Sequence, residues 1–308
     1  MYGKIDIQEL AKFGNLEFVA KQVVEGFITG MHRSPFHGFS VEFAEHRLYN
    51  NGESTKHIDW KLYAKTDKLF VKRYEEETNL RCRMILDASS SMYFPKITDS
   101  SPLNKLGFSI YAMASLIEIL KKQRDGVGLT VFKDAIHTDT AVKTSASHHR
   151  RLYDELEQLM KSQQESLNQG TKLTDILHNV AESNHKRSLI VLFSDFFSGE
   201  SLDDITDAFL HLKHNKHEVL VFHVVDRKHE IEFDFPNRPT TFVDLETGEK
   251  VKMQPGQFKE AYQKEISEKI SALKLKCSQF KIDFMEADIQ EGVQFVLQQY
   301  LIKRQKII

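Results

Sequence analysis

The chain has 308 residues, 41% of them hydrophobic and 28% charged, with a formal net charge of −2. That composition belongs to a globular protein with a sizeable core, and the near-balanced charge excludes a dedicated nucleic-acid binder, which needs a basic face. Only Cys82 and Cys277 are present, without a CxxC pair, so neither a zinc cluster nor a disulfide framework is expected. No apolar run reaches the roughly 18 residues that span a bilayer, and Asp6, Glu9, Glu17 and Glu25 replace the apolar block of an export signal. The expectation is a cytoplasmic protein without membrane insertion.

In chain order, Leu16, Val19, Val23 and Phe27 step by three and four, predicting a helix over 15–28. Phe39, Val41 and Phe43 alternate with polar residues before a turn at Asn50-Asn51-Gly52, and Leu69 to Tyr74 reads as another strand. These make a small α+β unit over 1–78. From residue 79 strand and helix periods alternate as in a parallel-sheet α/β domain. Strands are predicted at Cys82 to Leu86, Val127 to Phe132, Ser188 to Phe193, Glu218 to Val225 and Ile282 to Met285, with a short antiparallel return through Ile136. Helices are predicted around Leu103 to Leu120, Leu152 to Leu159, Leu173 to Val180, Leu202 to Leu212, Phe258 to Ile270 and Val293 to Leu301. Residues 226–257 interrupt the rhythm as an insertion carrying a hairpin. The fold class is α/β, a Rossmann-like mostly parallel sheet flanked by helices.

In such sheets ligands bind beyond the carboxyl ends of strands. The first strand runs into Asp87-Ala88-Ser89-Ser90-Ser91, the buried fourth strand into Phe193-Ser194-Asp195, and Gly170-Thr171 precedes a helix. Asp87, Ser89, Ser91, Thr171 and Asp195 therefore offer hard oxygen donors from three loops, suited to a magnesium-sized cation, with manganese or calcium as alternatives. Each also has a local explanation: Asp and Ser cap helices and bind loop amides, Thr171 is a candidate cap, and Asp195 a candidate solvent-facing loop carboxylate.

The order Asp-x-Ser-x-Ser, Gly-Thr, Asp resembles the metal-ion-dependent adhesion site of von Willebrand factor A domains. Carried over, Ser89, Ser91 and Thr171 supply hydroxyl ligands, Asp87 and Asp195 coordinate or hold metal-bound waters, and a partner's carboxylate completes the shell. Upstream, Met31-His32-Arg33-Ser34, Glu45-His46-Arg47-Leu48, His57-Ile58-Asp59-Trp60 and Val71-Lys72-Arg73-Tyr74 resemble the bacterial family catalogued as domain of unknown function 58, as do Leu245-Glu246-Thr247-Gly248-Glu249 and Tyr300-Leu301-Ile302-Lys303-Arg304. That resemblance implies a metal-dependent adaptor working with a MoxR-type AAA+ ATPase or its client. The sequence departs from the family at Asn51-Gly52-Glu53-Ser54. Arg33, Arg47, Asp59, Trp60, Lys65 and Lys72 are expected to form a buried polar network, Glu75 to Glu77 a solvated run, and His148 and His149 exposed surface.

The alternative is a metal-dependent phosphoester hydrolase, since a divalent ion between Asp87 and Asp195 activates water. Against it, no base stands nearby in sequence, Ser90 lacks an identifiable histidine partner, and neither a P-loop nor a GxSxG elbow occurs.

Overall fold

The computed structural model describes residues 15–28, 45–49, 58, 60–73, 80–98, 103–133, 135–161, 172–197 and 199–305. Its centre is a six-stranded sheet of β3 (Arg81–Asp87), β4 (Gly126–Phe132), β5 (Ile136–Asp139), β6 (Leu189–Ser194), β7 (Glu218–Val225) and β10 (Asp283–Asp288). Elements preceding β3 are α1 (Leu16–Ile28), β1 (Glu45–Leu48), α2 (Trp60–Thr66) and β2 (Phe70–Arg73). The spatial order is β10-β7-β6-β3-β4-β5, parallel throughout except for the edge strand β5. Every residue of β4 and β6 is buried, as expected when helices cover both faces.

Alternation along β3 divides the core. Cys82, Met84 and Leu86 join the face covered by α1, α3 (Lys105–Lys122), α4 (Ala146–Lys161) and α8 (Val293–Gln305). Ile85 joins the opposite face, under α5 (Leu173–Ser183), α6 (Leu202–His214) and α7 (Pro255–Gln279). Helix α3 is buried from Lys105 to Leu120 because other helices wrap it against the sheet, each fully buried leucine or isoleucine contributing about 1.5–3 kcal/mol. Helix α1 packs onto α3, with Leu16, Val19 and Val23 in the same core and Glu17 bonded to Lys121 at 2.7 Å. The buried guanidinium of Arg83 holds the antiparallel edge through Asp139 at 2.7 Å and the Thr140 carbonyl at 2.6 Å.

From β3 the chain steps outward to β4 and β5, then returns to the other side of β3 and proceeds through β6 and β7 to β10. The connections diverge between β3 and β6, which places a crevice at the carboxyl ends of those two strands.

The strand over Phe39 to Phe43, the turn at Asn50 to Gly52 and Glu75 to Glu77 lie outside the described residues, as do Arg33 and Asp59. Trp60 and Lys65 are exposed instead of joining a buried network: they ride on the short surface helix α2, where Trp60, 61% exposed, meets Tyr63 edge-on at 6.1 Å. His148 and His149 are buried, because α4 turns residues 148, 149, 152, 153, 156 and 159 inward as one stripe. The His148 ring nitrogen Nε2 lies 2.9 Å from the Val127 carbonyl oxygen.

Candidate functional site

Four neighbouring parallel strands end at aspartates: Asp87 closes β3, Asp288 closes β10, and Asp195 and Asp226 directly follow β6 and β7. Asp87 and Asp195 flank the crevice. Alternation along β3 puts Asp87 on the Ile85 face, where α5 and α6 pack. Its Oδ2 accepts the Ser194 hydroxyl at 2.6 Å and its Oδ1 the Ser89 amide at 2.9 Å. Burial first, and the charge of Asp195 second, push this carboxyl up to about 6 despite those bonds.

Asp195 is buried, not turned to solvent, and its Oδ2 receives the Lys105 ammonium at 2.6 Å. Lys105, the first residue of α3, is entirely enclosed and also bonds Glu230, in the π-helical turn Arg227–Ile231 that follows β7. Burial is the largest single influence and would raise Asp195, but the charge and hydrogen bond of Lys105, with the Phe197 amide and Ser91, together hold it below the usual carboxylate value. Burial pushes Glu230 upward against the pull of the same ammonium. Phe196, after Asp195, has φ of 54°, a left-handed conformation unusual for an aromatic residue. The turn is fixed from both sides: the Phe196 amide donates to Ser194 Oγ at 3.1 Å and the Phe197 amide to Asp195 Oδ1 at 3.0 Å.

The serine loop continues as a short 3-10 helix, Ser90–Tyr93. Ser89 Oγ and Ser91 Oγ lie 3.1 Å apart, and hydrogen bonding from Ser89 to Asp87 and from Ser91 to Asp195 joins the two strand ends. None of these residues caps α3: its N-cap is Asn104, whose side chain accepts from the Gly107 amide at 2.8 Å. Within the serine loop, a side chain binding a loop amide is seen at Asp87, as it is at Asp195 across the crevice. Ser90 is buried and its hydroxyl has no partner among the described residues, so it is not presented as a nucleophile. Thr171 lies outside the described residues; the first amides of α5, Leu173 and Thr174, donate to the Glu200 carboxylate at 3.1 and 2.9 Å.

Four participants escaped the sequence reading. Lys105 looks like a solvated charge at a helix start, and Glu230 belongs to an insertion with no periodic signal. Asp226, one residue past a buried strand like Asp195, was accessible to the same reasoning; its Oδ2 is 2.7 Å from His229 Nδ1. Glu246, between β8 (Thr240–Val243) and β9 (Lys250–Met253), accepts the Ser91 amide at 2.9 Å, so the hairpin folds back onto the serine loop. Among the described residues no three His, Cys, Asp or Glu side chains form a ligand cluster, so any cation held here relies on hydroxyls as well as carboxylates. Among the described residues, no helix is long and apolar enough to cross a membrane.

Comparison with known proteins finds three uncharacterized relatives, two from Mycobacterium tuberculosis strains and one from Mycobacterium bovis, each 23% identical over 195 residues. The match spans 63% of this chain and 59% of the length of those relatives. Among solved structures, an aerotolerance-related membrane protein from Bacteroides fragilis aligns with TM-score 0.46 and 15% identity over 75% of this chain and all of that one. The conserved hypothetical protein BatB from Bacteroides thetaiotaomicron aligns with TM-score 0.44 and 15% identity over 74% of this chain and all of its own. Residues 45–271 match the family described as "Protein of unknown function DUF58", and the chain belongs to that family.

Proposed function

We propose that the chain is a divalent-cation-dependent protein-interaction module, related in its site to von Willebrand factor A domains, that docks an acidic residue of a MoxR-type AAA+ ATPase or its client during assembly of a protein complex. The observation that carries this reading is the convergence of Asp87, Ser89, Ser91 and Asp195 at the divergence of β3 and β6. Donor spacing fits magnesium: bonds of 2.0–2.1 Å make an octahedral edge of about 3 Å, and the two serine hydroxyls are 3.1 Å apart. The elevated Asp87 carboxyl fits as well, since two like charges in one buried crevice gain from a cation between them. Ser89, Ser91, Asp87 and Asp195 would hold the ion, with Thr171 as a further hydroxyl.

When bound, the ion supplies residual positive charge that favours an incoming carboxylate. The chain's own groups set the terms of that exchange. Lys105 already neutralises Asp195 from below, which keeps the charge of the crevice low, and Glu246 holds the Ser91 amide, so an acidic partner contends with a carboxylate of the same chain. The hydrolase reading gains no comparable support: His223, whose Nε2 meets the Asp195 carbonyl at 3.2 Å, is buried and lowered to about 4, so its ring is neutral and bonded to backbone.

Immobilised protein titrated with a purified MoxR-type ATPase of the same organism tests the proposal. Binding is expected to be about tenfold or more tighter in magnesium than in EDTA, equivalent to about 1.4 kcal/mol. Equal affinity in both buffers contradicts metal-bridged docking, and no binding in either contradicts the partner.

A further inference from the structure

A cavity of about 800 Å³ opens beside the site, walled by the β8–β9 hairpin, α7 and the turn after β7. Its chemistry is set by sequence period. Along β9, Val251 and Met253 line the cavity together with the preceding Glu249, and strand alternation assigns Lys250 and Lys252 to the opposite face. Along α7, Phe258, Ala261, Tyr262 and Glu265 fall at i, i+3, i+4 and i+7 and form one stripe of the wall. The floor is aromatic: Phe233 stacks on Phe242 at 5.7 Å and meets Tyr262 at 4.5 Å, and Phe235 meets Phe242 edge-on at 5.0 Å. Phe233 holds its place with φ of 48°, a left-handed conformation that bulky residues rarely adopt.

The wall carries five carboxylates and, among the described residues, no lysine or arginine. Three are committed locally: Glu230 to Lys105, Glu246 to the Ser91 amide, and Asp244 to the amides of its own turn at 2.7 and 3.0 Å. Glu249 and Glu265 are exposed and have no ion-pair partner among the described residues. Rings with carboxylates at the mouth suit a cation on a long apolar stem, which buries its methylenes and leaves its charge at the rim. The protein already uses this chemistry next door, where the Lys105 ammonium lies 5.9 Å from the Phe94 ring centre and 5.0 Å from that of Phe197, both lining the cavity.

We propose that this cavity is a second binding site, which takes an arginine or lysine side chain presented by a peptide segment of a protein partner, its stem among Phe233, Phe242 and Tyr262 and its charge at Glu249 and Glu265. The volume exceeds one such side chain and leaves room for apolar neighbours on the segment. Charge complementarity identifies the occupant: the two uncommitted carboxylates, Glu249 and Glu265, favour a cation over a neutral side chain and disfavour an acidic one. No metal is required, and the carboxylates that take the charge, Glu249 and Glu265, are not among the residues that would hold the cation, although Ser91 borders both sites.

Fluorescence polarisation with the labelled peptide Gly-Leu-Arg-Leu-Gly tests it, against counterparts in which the arginine is citrulline or glutamate. The arginine peptide is expected to bind about tenfold tighter than the citrulline peptide, with no binding of the glutamate peptide. The surface double variant Glu249→Gln/Glu265→Gln should weaken the arginine peptide by about tenfold and leave the citrulline peptide unchanged, and EDTA should change neither. Equal binding of arginine and citrulline peptides, failure of the arginine peptide to bind, an unaffected double variant, or loss of binding in EDTA each overturns the proposal. Failure in EDTA alone implicates the cation site instead, so the two proposals fail separately.

Discussion

Methionine in place of Lys105 is expected to destabilise the fold by about 3–5 kcal/mol, read from urea denaturation. Methionine keeps the length of the lysine stem and removes the ammonium with its two hydrogen bonds, leaving Asp195 and Glu230 facing one another in an enclosed space without their shared cation. Asp195 suffers most, since the ammonium holds it below the usual carboxylate value against burial. Adding Glu230→Gln to the variant should recover part of the loss, because one of the two stranded charges disappears and the pair is coupled. Magnesium should stabilise Lys105→Met more than the native chain, the Asp195 oxygen having been released. A loss below about 1 kcal/mol would mean that water reaches the ammonium and that the network is a surface one.

The second large effect has the opposite sign. Asp87→Asn is expected to stabilise the protein in EDTA by about 1–3 kcal/mol, because it removes a carboxylate whose ionisation is opposed by burial and by Asp195. With its oxygen toward the Ser89 amide, the asparagine side chain keeps that bond and donates its NH2 to the Ser194 hydroxyl oxygen, so the packing of the strand end is retained. In magnesium the native chain should gain stability and the variant should not, narrowing or reversing their order. Thermal melts of both proteins in both buffers read this directly. Were Asp87 only a binder of the Ser89 amide, its replacement would destabilise the protein equally with and without metal.

The centre of the sheet was legible because strands such as β4 and β6 are buried on both faces, so near-continuous apolar runs such as Leu189 to Phe193 mark them whatever surrounds them. Asp87 and Asp195 were legible for a related reason: a carboxylate directly after such a run must lie at the rim formed by the carboxyl ends of the strands. Lys105 was not, because its burial comes from Asp195 and Glu230, 90 and 125 positions away, and no local pattern marks a lysine as enclosed. Glu246 closes on Ser91 over 155 positions, a contact set by how the insertion folds. The histidine pair on α4 was within reach, since stepping back three and four from Leu152 lands on His149 and His148. Trp60 misled in the other direction: a tryptophan in a motif suggested burial, whereas a seven-residue helix on the surface has no second face to cover it.

Manganese binding to the native chain and to a Ser89→Ala/Ser91→Ala double variant tests the cation site most directly. Both serines are only partly buried and neither carries the fold, so the variant should keep the native circular dichroism spectrum. Equilibrium dialysis is expected to find a single manganese ion on each native molecule, displaced by magnesium, and none on the variant at the same concentration. The same occupancy in both proteins, or no manganese on the native chain, would contradict a cation held between the ends of β3 and β6.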